Sequence, residues 1–228
     1  MLQPRWYQES AHDAVINHWR GSTLPVVVEA ATGAGKSVIV AMLAKTLHDL
    51  SVGKRVLCLA PSAILTEQNH EKYLAIGEKA SIYSASISKS LRHQVILATP
   101  LTFKKVARRL GGEFAGVIVD ECHGITDSIK QIIDDMRQSS PTLRVCGLSA
   151  TPFRLQTGFI FGVDPDGKAL PESIARDPYF HQCVYSIGAR MLLELGFLTP
   201  LRAGEINASK YETDGLKVQS NGQFSAAT

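Results

Sequence analysis

The chain alternates between short runs that are apolar almost throughout and longer stretches in which apolar residues recur every three or four positions. The short runs lie at residues 25–28, 55–59, 81–83, 94–98, 116–119 and 144–148 and are rich in Val, Ile and Leu. Unbroken apolarity over so few residues is what a strand covered on both faces requires. Between the runs the period changes. Residues 37–50 put Ile39, Val40, Leu43, Leu47 and Leu50 on one face of a helix, and Ile64, Leu65, Tyr73 and Leu74 mark a second helix after Pro61. Strand alternating with helix predicts an α/β fold with a parallel, doubly wound sheet, whose ligands sit beyond the carboxyl ends of the strands. The pattern breaks after Pro152. FGVDPDGKALPESIARDP, rich in Pro, Gly and Asp, predicts an irregular insertion over about 153–183, and SIGARMLLELGFLTP predicts a short helix stopped by Gly196.

Composition narrows this picture. With 228 residues the chain suits one large domain with appendages, and 45% hydrophobic and 20% charged residues are those of a soluble globular protein. No apolar run approaches the roughly 18 residues of a membrane span. The opening MLQPRWYQES turns polar at once, without the apolar centre of a signal peptide, so the expected location is the cytoplasm and no membrane partner is expected. Cys58, Cys122, Cys146 and Cys183 are scattered without a CxxC pair and read as reduced, buried thiols. A net charge of +3 permits an anionic partner without demanding one.

Candidate chemistry enters at AATGAGKS, Ala30–Ser37, between the first apolar run and the helix over 37–50. The spacing is GxxxxGK[ST] with Ala30 in place of the first glycine. Gly33 and Gly35 would let backbone N–H groups turn inward around a phosphate, with Thr32 and Ala34 completing the loop. Lys36 would reach the β and γ phosphates and the Ser37 hydroxyl would ligate Mg²⁺. A triphosphate such as ATP suits this loop better than a dinucleotide. The second element is VIVDECH, where an apolar strand delivers two carboxylates to its end. Asp120 would hold Mg²⁺ and Glu121 would position and deprotonate an attacking water. Cys122 and His123 beside them either couple the site to a moving element or pack.

ATGAGKS, DECH and SATP (Ser149–Pro152), in that order and each behind a strand, resemble motifs I, II and III of superfamily 2 helicases and translocases. RWYQESAHDAV, CGLSATPFR, GFLTP and QSNGQFS further resemble the first motor domain of RadD-type bacterial DNA-repair helicases. The resemblance implies a three-layer αβα, RecA-like P-loop NTPase domain over residues 1–203, with 204–228 as a mobile lead into a second RecA-like domain. It implies ATP and Mg²⁺ as cofactors, and sequence-nonspecific DNA, single-stranded or forked, as partner. Single-stranded-DNA-binding protein and recombination proteins are further implied partners. It also gives roles to residues that pattern alone leaves bland. Arg5, Tyr7 and Gln8, otherwise the first turn of a helix, resemble an adenine-reading element. Ser149 and Thr151, otherwise a strand end and a turn, resemble the motif that links phosphate state to the nucleic-acid track.

That track is thinner in the sequence. APSAILTEQ stands in the place of motif Ia but has Ala63 and Ile64 where the RNA-helicase pattern has an arginine and a glutamate, which argues against RNA unwinding. Thr66, Gln68 and Thr99 remain as donors to backbone phosphates, contacts that position a strand without reading its sequence. Lys104, Lys105, Arg108 and Arg109 form one cationic helical face, either solvated or in contact with nucleic acid. Tyr179, Phe180 and His181 either stack on bases or anchor the insertion. Nothing like the QxxGRxxR motif of a second motor domain, nor a cysteine-rich zinc module, occurs in the chain. The expectation is therefore the first half of an ATP-dependent DNA helicase or translocase. A restriction-enzyme-type double-strand translocase and a non-catalytic binding module are the alternatives.

Overall fold

The computed structural model describes residues 3–155 and 157–199, together with two short strands at 216–218 and 224–226. Helix α1 (Trp6–Gly21) precedes strand β1 (Val26–Ala30). Helix α2 (Lys36–Leu50) leads to β2 (Arg55–Leu59), and α3 (Ala63–Ala75) leads to β3 (Ala80–Ser84) and the two-residue β4 (Ser88–Lys89). Then come β5 (Val95–Ala98), α4 (Pro100–Leu110), β6 (Phe114–Asp120), α5 (Asp127–Ser139) and β7 (Arg144–Ser149). Short strands β8 (Phe153–Arg154), β9 (Gly158–Phe159) and β10 (Phe161–Val163) follow, and β11 (Phe180–Ile187) and α6 (Ala189–Glu194) complete this unit.

Nine of these strands form one sheet in the order β10-β11-β1-β7-β6-β2-β5-β3-β4. It is parallel apart from the β3–β4 pair. One face carries α1, α2 and Tyr73 of α3 over a core that includes Val15, Leu43 and Leu47. The other carries α4 and α5 through Phe103, Ala107, Ile132, Ile133 and Met136. The fold is thus the expected three-layer, doubly wound α/β arrangement. Register aligns the strand ends: Asp120 lies beside Leu148, and Glu29 lies beside Ser149. The connections after β1, β6 and β7 therefore leave the sheet at the same rim.

Three details depart from the sequence pattern. Leu50, expected on the buried face of α2, is 71% exposed in the helix's last position. In α3 the apolar residues Ile64 and Leu74 are exposed, and the buried stripe is Thr66, Asn69 and Tyr73. The insertion is also less irregular than expected. Its last residues enter β11, which pairs in parallel with both β1 and β10. Phe180 is fully buried there and anchors the segment to the core, while His181 is exposed. Asp164 closes the DPDG turn, its carboxylate accepting from the N–H groups of Asp166 and Lys168.

All four cysteines are free and buried. Burial pushes the Cys58 and Cys183 thiols up to about 12, so they stay neutral packing groups. Among the described residues no helix is long and apolar enough to cross a membrane. Of the polar tail, β12 (Leu216–Val218) and β13 (Phe224–Ala226) pair antiparallel as a separate small unit. The remainder of 204–228, with its reading as a mobile lead and most of QSNGQFS, lies outside the described residues.

Candidate functional site

The buried strand β1 runs straight into the loop between it and α2. Gly33 (φ 83°) and Gly35 (φ 81°) are both left-handed, a conformation that side chains with a Cβ rarely adopt. The turn they make starts α2 at Lys36 with no side-chain cap and no acid in its first turn. The first N–H groups and the positive end of the helix dipole are left for an anion. The loop is also gripped from outside. A Cβ on Gly35 would lie 2.5 Å from Gln8 Nε2, and one on Gly33 would lie 2.7 Å from Leu198 Cδ2.

The grip on the Gly35 side is the N-terminal element. Gln8 Nε2 donates to the Ala34 carbonyl at 2.8 Å, and the Tyr7 hydroxyl donates to the same oxygen at 3.1 Å. Gln8 Oε1 accepts from the Arg5 N–H at 2.9 Å, which caps α1. The Arg5 guanidinium donates to the Tyr7 hydroxyl and lies 4.9 Å from the centre of the Phe197 ring, which meets Tyr7 edge to face. Arg5, Tyr7 and Gln8 are thereby fixed against the loop. Gln8 is only 4% exposed, its amide engaged by protein on both sides.

Strand β6 ends on the acids. Asp120 is buried; its Oδ2 accepts from Asn69 Nδ2 at 2.9 Å and its Oδ1 from the Glu121 N–H at 3.0 Å. Burial raises the Asp120 carboxyl above its ordinary range. The hydrogen bond from Asn69 and the charge of Lys36 act against that rise, and the charge of Glu121 adds to it. Glu121 turns the chain sharply at φ 50°, a left-handed conformation unusual for a residue with a side chain. Its Oε1 lies 3.2 Å from Lys36 Nζ, and its Oε2 lies 3.4 Å from His123 Nδ1. The loop lysine thus meets Glu121 directly, and its charge also reaches Asp120.

His123 Nδ1 also lies 3.0 Å from the hydroxyl of fully buried Ser149, which accepts from the Thr151 N–H at 3.0 Å. His123 Nδ1 thus faces both the Glu121 carboxylate and the Ser149 hydroxyl, and the Ser149 hydroxyl is in turn held by the Thr151 N–H. Thr151 and Thr32 both line a cleft of 310 Å³ that Glu29 and Gly188 also border. Cys122, beside the acids, is fully buried and packs against Gly147, where a Cβ would sit 2.6 Å from its Sγ.

The expected nucleic-acid contacts are dispersed. Thr66 is fully buried and its hydroxyl donates to the Ser62 carbonyl at 2.8 Å, so it presents nothing to solvent. Gln68 is exposed, and Thr99 at the start of α4 donates to the Thr102 hydroxyl at 3.0 Å. Two residues of the site have no role assigned by the sequence motifs, although Arg154 closes the stretch CGLSATPFR. Asn69 holds Asp120 from α3; its only sequence signal is an amide on the Thr66–Asn69–Tyr73 stripe. Arg154, just past SATP, donates from Nε to the His123 carbonyl at 2.7 Å and from its other guanidinium nitrogen to the Ile125 carbonyl. It pins the turn behind the carboxylates to the segment that follows β7.

A phosphate-type loop, two carboxylates at the next-but-one strand and a hydroxyl network behind them, on this sheet, define an N-terminal motor domain of the superfamily 2 helicase class. The model of the family described as type III restriction enzyme, res subunit, matches residues 1–154, and the chain belongs to that family. It is 30% identical over 182 residues to the ATP-dependent RNA helicase DBP8 of Mycosarcoma maydis, covering 65% of this chain and 34% of that protein. It is likewise 30% identical over 145 residues to the ATP-dependent DNA helicase uvsW of Enterobacteria phage T4, covering 59% of this chain and 28% of that protein. The chain thus spans about a third of the length of these curated relatives. In fold it is similar to the UvsW helicase from bacteriophage T4, with a TM-score of 0.59 and 23% identity over 81% of this chain and 60% of that one. The type ISP restriction-modification enzyme LlaGI, as a nuclease-deletion mutant with a DNA substrate mimic, gives a TM-score of 0.61 at 15% identity over 86% of this chain and 21% of that one.

Proposed function

We propose that this chain is the nucleotide-binding half of an ATP-driven DNA motor, which binds Mg·ATP at the 30–37 loop and hydrolyses it when a second motor unit closes on the site. The observation that carries the reading is the meeting of Lys36 with Glu121, next to buried Asp120, at the rim where the uncapped start of α2 opens. Lys36 turns from Glu121 to the β and γ phosphates, which frees the Glu121 carboxylate to take a proton from the attacking water. Asp120 and the Ser37 hydroxyl are the oxygen donors for Mg²⁺. The fit rests on Asp120, a buried carboxylate held by only two hydrogen bonds, whose ionised form a neighbouring cation would favour. When bound, Mg²⁺ offsets phosphate charge. Arg5, Tyr7 and Gln8 serve the adenine end, where Gln8 would have to exchange its bonds to the Arg5 N–H and the Ala34 carbonyl for the base, and His123, Ser149 and Thr151 relay phosphate state.

DNA is preferred over RNA because Ala63 and Ile64 replace the arginine and glutamate of the RNA-helicase pattern, while the relatives' names divide between an RNA helicase and a DNA helicase. A RadD-type repair motor of the bacterial cytoplasm is the finer reading, supported by GFLTP and QSNGQFS. The family match favours a second one, the translocating motor of a restriction enzyme. Both need arginines from a second unit, worth about 10³ to 10⁵ in turnover.

Calorimetric titration with Mg·ATP tests the site. Lys36→Ala is expected to weaken binding at least about tenfold, in keeping with about 1.5–3 kcal/mol for charge-assisted hydrogen bonds, without unfolding the chain. Glu121→Gln is expected to keep the affinity, and phosphate release by the chain alone is expected to be close to nil. Equal affinities of wild type and Lys36→Ala would remove Lys36 from the site.

A further inference from the structure

About half of the cations among the described residues are engaged by hydrogen bonds or ion pairs. Lys45 bonds Asp49 and Glu78, Arg55 bonds Glu113, Arg190 bonds Glu194, and Arg144 and Arg154 donate to backbone carbonyls. Helix α4 gathers four of the unengaged ones on one helix. Its inner stripe, Phe103 and Ala107, is fully buried, while Lys104, Lys105, Arg108 and Arg109 are all exposed. None of the four has a side-chain hydrogen bond or ion-pair partner among the described residues. By helix geometry they fall within an arc of about 140° and along about 7.5 Å of the axis.

The sequence around the helix carries the same bias. From residue 79 to residue 112 there is not one Asp or Glu, while Lys79, Lys89 and Arg92 add to the four on α4. Since the whole chain nets only +3, the rest of it is net acidic. That stretch builds β3, β4, β5 and α4, with β5, β3 and β4 forming one end of the sheet, so the positive charge is gathered at a single side of the domain. Helix α4 starts at the carboxyl end of β5, the rim that also holds the loop and the acids, and leads away from it down the flank.

We propose that the outer face of α4 is a second, sequence-nonspecific contact for the phosphate backbone of DNA, lengthening the track beyond the rim. The proposal rests on the nucleic-acid part of the function proposed above. Four cations without carboxylate partners and without base-reading amides or aromatics between them suit a polyanion held by charge alone. Leu101, the one apolar residue on the exposed face, sits at its rim end.

The test is fluorescence anisotropy of the 228-residue chain with a labelled single-stranded oligodeoxynucleotide at several salt concentrations. Neutralising all four positions, Lys104→Gln, Lys105→Gln, Arg108→Gln and Arg109→Gln, is expected to lower the slope of log K against log salt by about 2 to 3, near 0.7 per lost phosphate contact. Mg·ATP affinity should stay at the wild-type value, which also certifies the fold. The charge-keeping pair Lys104→Arg and Lys105→Arg should keep the wild-type slope, and neutralising the paired Lys45 and Arg190 should not reproduce the loss. Binding by wild type with an unchanged slope in the fourfold variant would overturn this inference alone. A wild-type chain that binds no DNA at any salt would overturn it together with the nucleic-acid part of the proposed function, leaving nucleotide binding untouched.

Discussion

Helices α2 and α3 follow strands of the same sheet and pack on the same face, yet they bury different chemistry. Helix α2 buries seven residues, Val38, Ile39, Val40, Ala41, Leu43, Ala44 and Leu47, all apolar. Helix α3 buries Thr66, Asn69 and Tyr73 and leaves Ile64 and Leu74 in solvent. The first is a stem: its burial fixes the helix whose first residue is Lys36. The second gives up apolar burial to bring one amide to Asp120, and Asn69 Oδ1 finds no partner among the described residues. A helix whose inward stripe is polar is therefore the place to look for a positioning group, since burying a polar atom without function has no offsetting gain.

Shortening side chains on the two helices should separate the roles most sharply. Leu43→Ala in α2 removes a fully buried side chain and is expected to destabilise by about 2–5 kcal/mol. Ile64→Ala on the exposed side of α3 should stay within about 0.5 kcal/mol. Thermal melting reads both, and equal losses would erase the distinction.

A middle-sized effect is expected from Asn69→Ala. It strips Asp120 Oδ2 of its donor in a buried place, a loss of about 1–3 kcal/mol, and raises the Asp120 carboxyl further above its ordinary range. Melting together with Mg²⁺-dependent nucleotide titration checks it; unchanged magnesium dependence would reduce Asn69 to a packing residue.

The smallest effect has the opposite sign. Because burial raises the folded-state pKa of Asp120, ionising it costs the folded state more than the unfolded one. That cost is absent below the ordinary carboxylate range and is fully present above the raised pKa. Asp120→Asn should therefore match wild-type stability at low pH and exceed it as pH rises through that window. The expected gain is about 2–4 °C in melting temperature for each kcal/mol relieved, with loss of magnesium-dependent binding. A variant less stable than wild type at neutral pH would show that the two hydrogen bonds to the carboxylate outweigh its burial.

The fold was legible where chemistry repeats along the chain. The apolar runs at 55–59 and 144–148 became β2 and β7 within a residue, since fully covered strands leave no polar position to blur them. Loop, lysine and acids were legible because phosphate and metal chemistry dictates both residue type and spacing. Strand β11 was not: FHQCVYSI mixes polar and apolar residues, and its strand character comes from pairing with β1 and β10. Asn69 and Arg154 were hidden for a related reason. Each acts on groups far away in sequence, and neither has a local pattern to announce the contact.

The contact of Leu198 with Gly33 has an evolutionary consequence. The volume a side chain at position 33 would need is already filled by Leu198, and the left-handed backbone there disfavours any replacement even if Leu198 shrinks. Shrinking the side chain at 198, itself packed against the core, still never releases 33, whereas a change at 33 is barred twice. Across descendants of this sequence the glycine at 33 should persist whatever residue stands at 198, an asymmetry that pairwise covariation alone would miss.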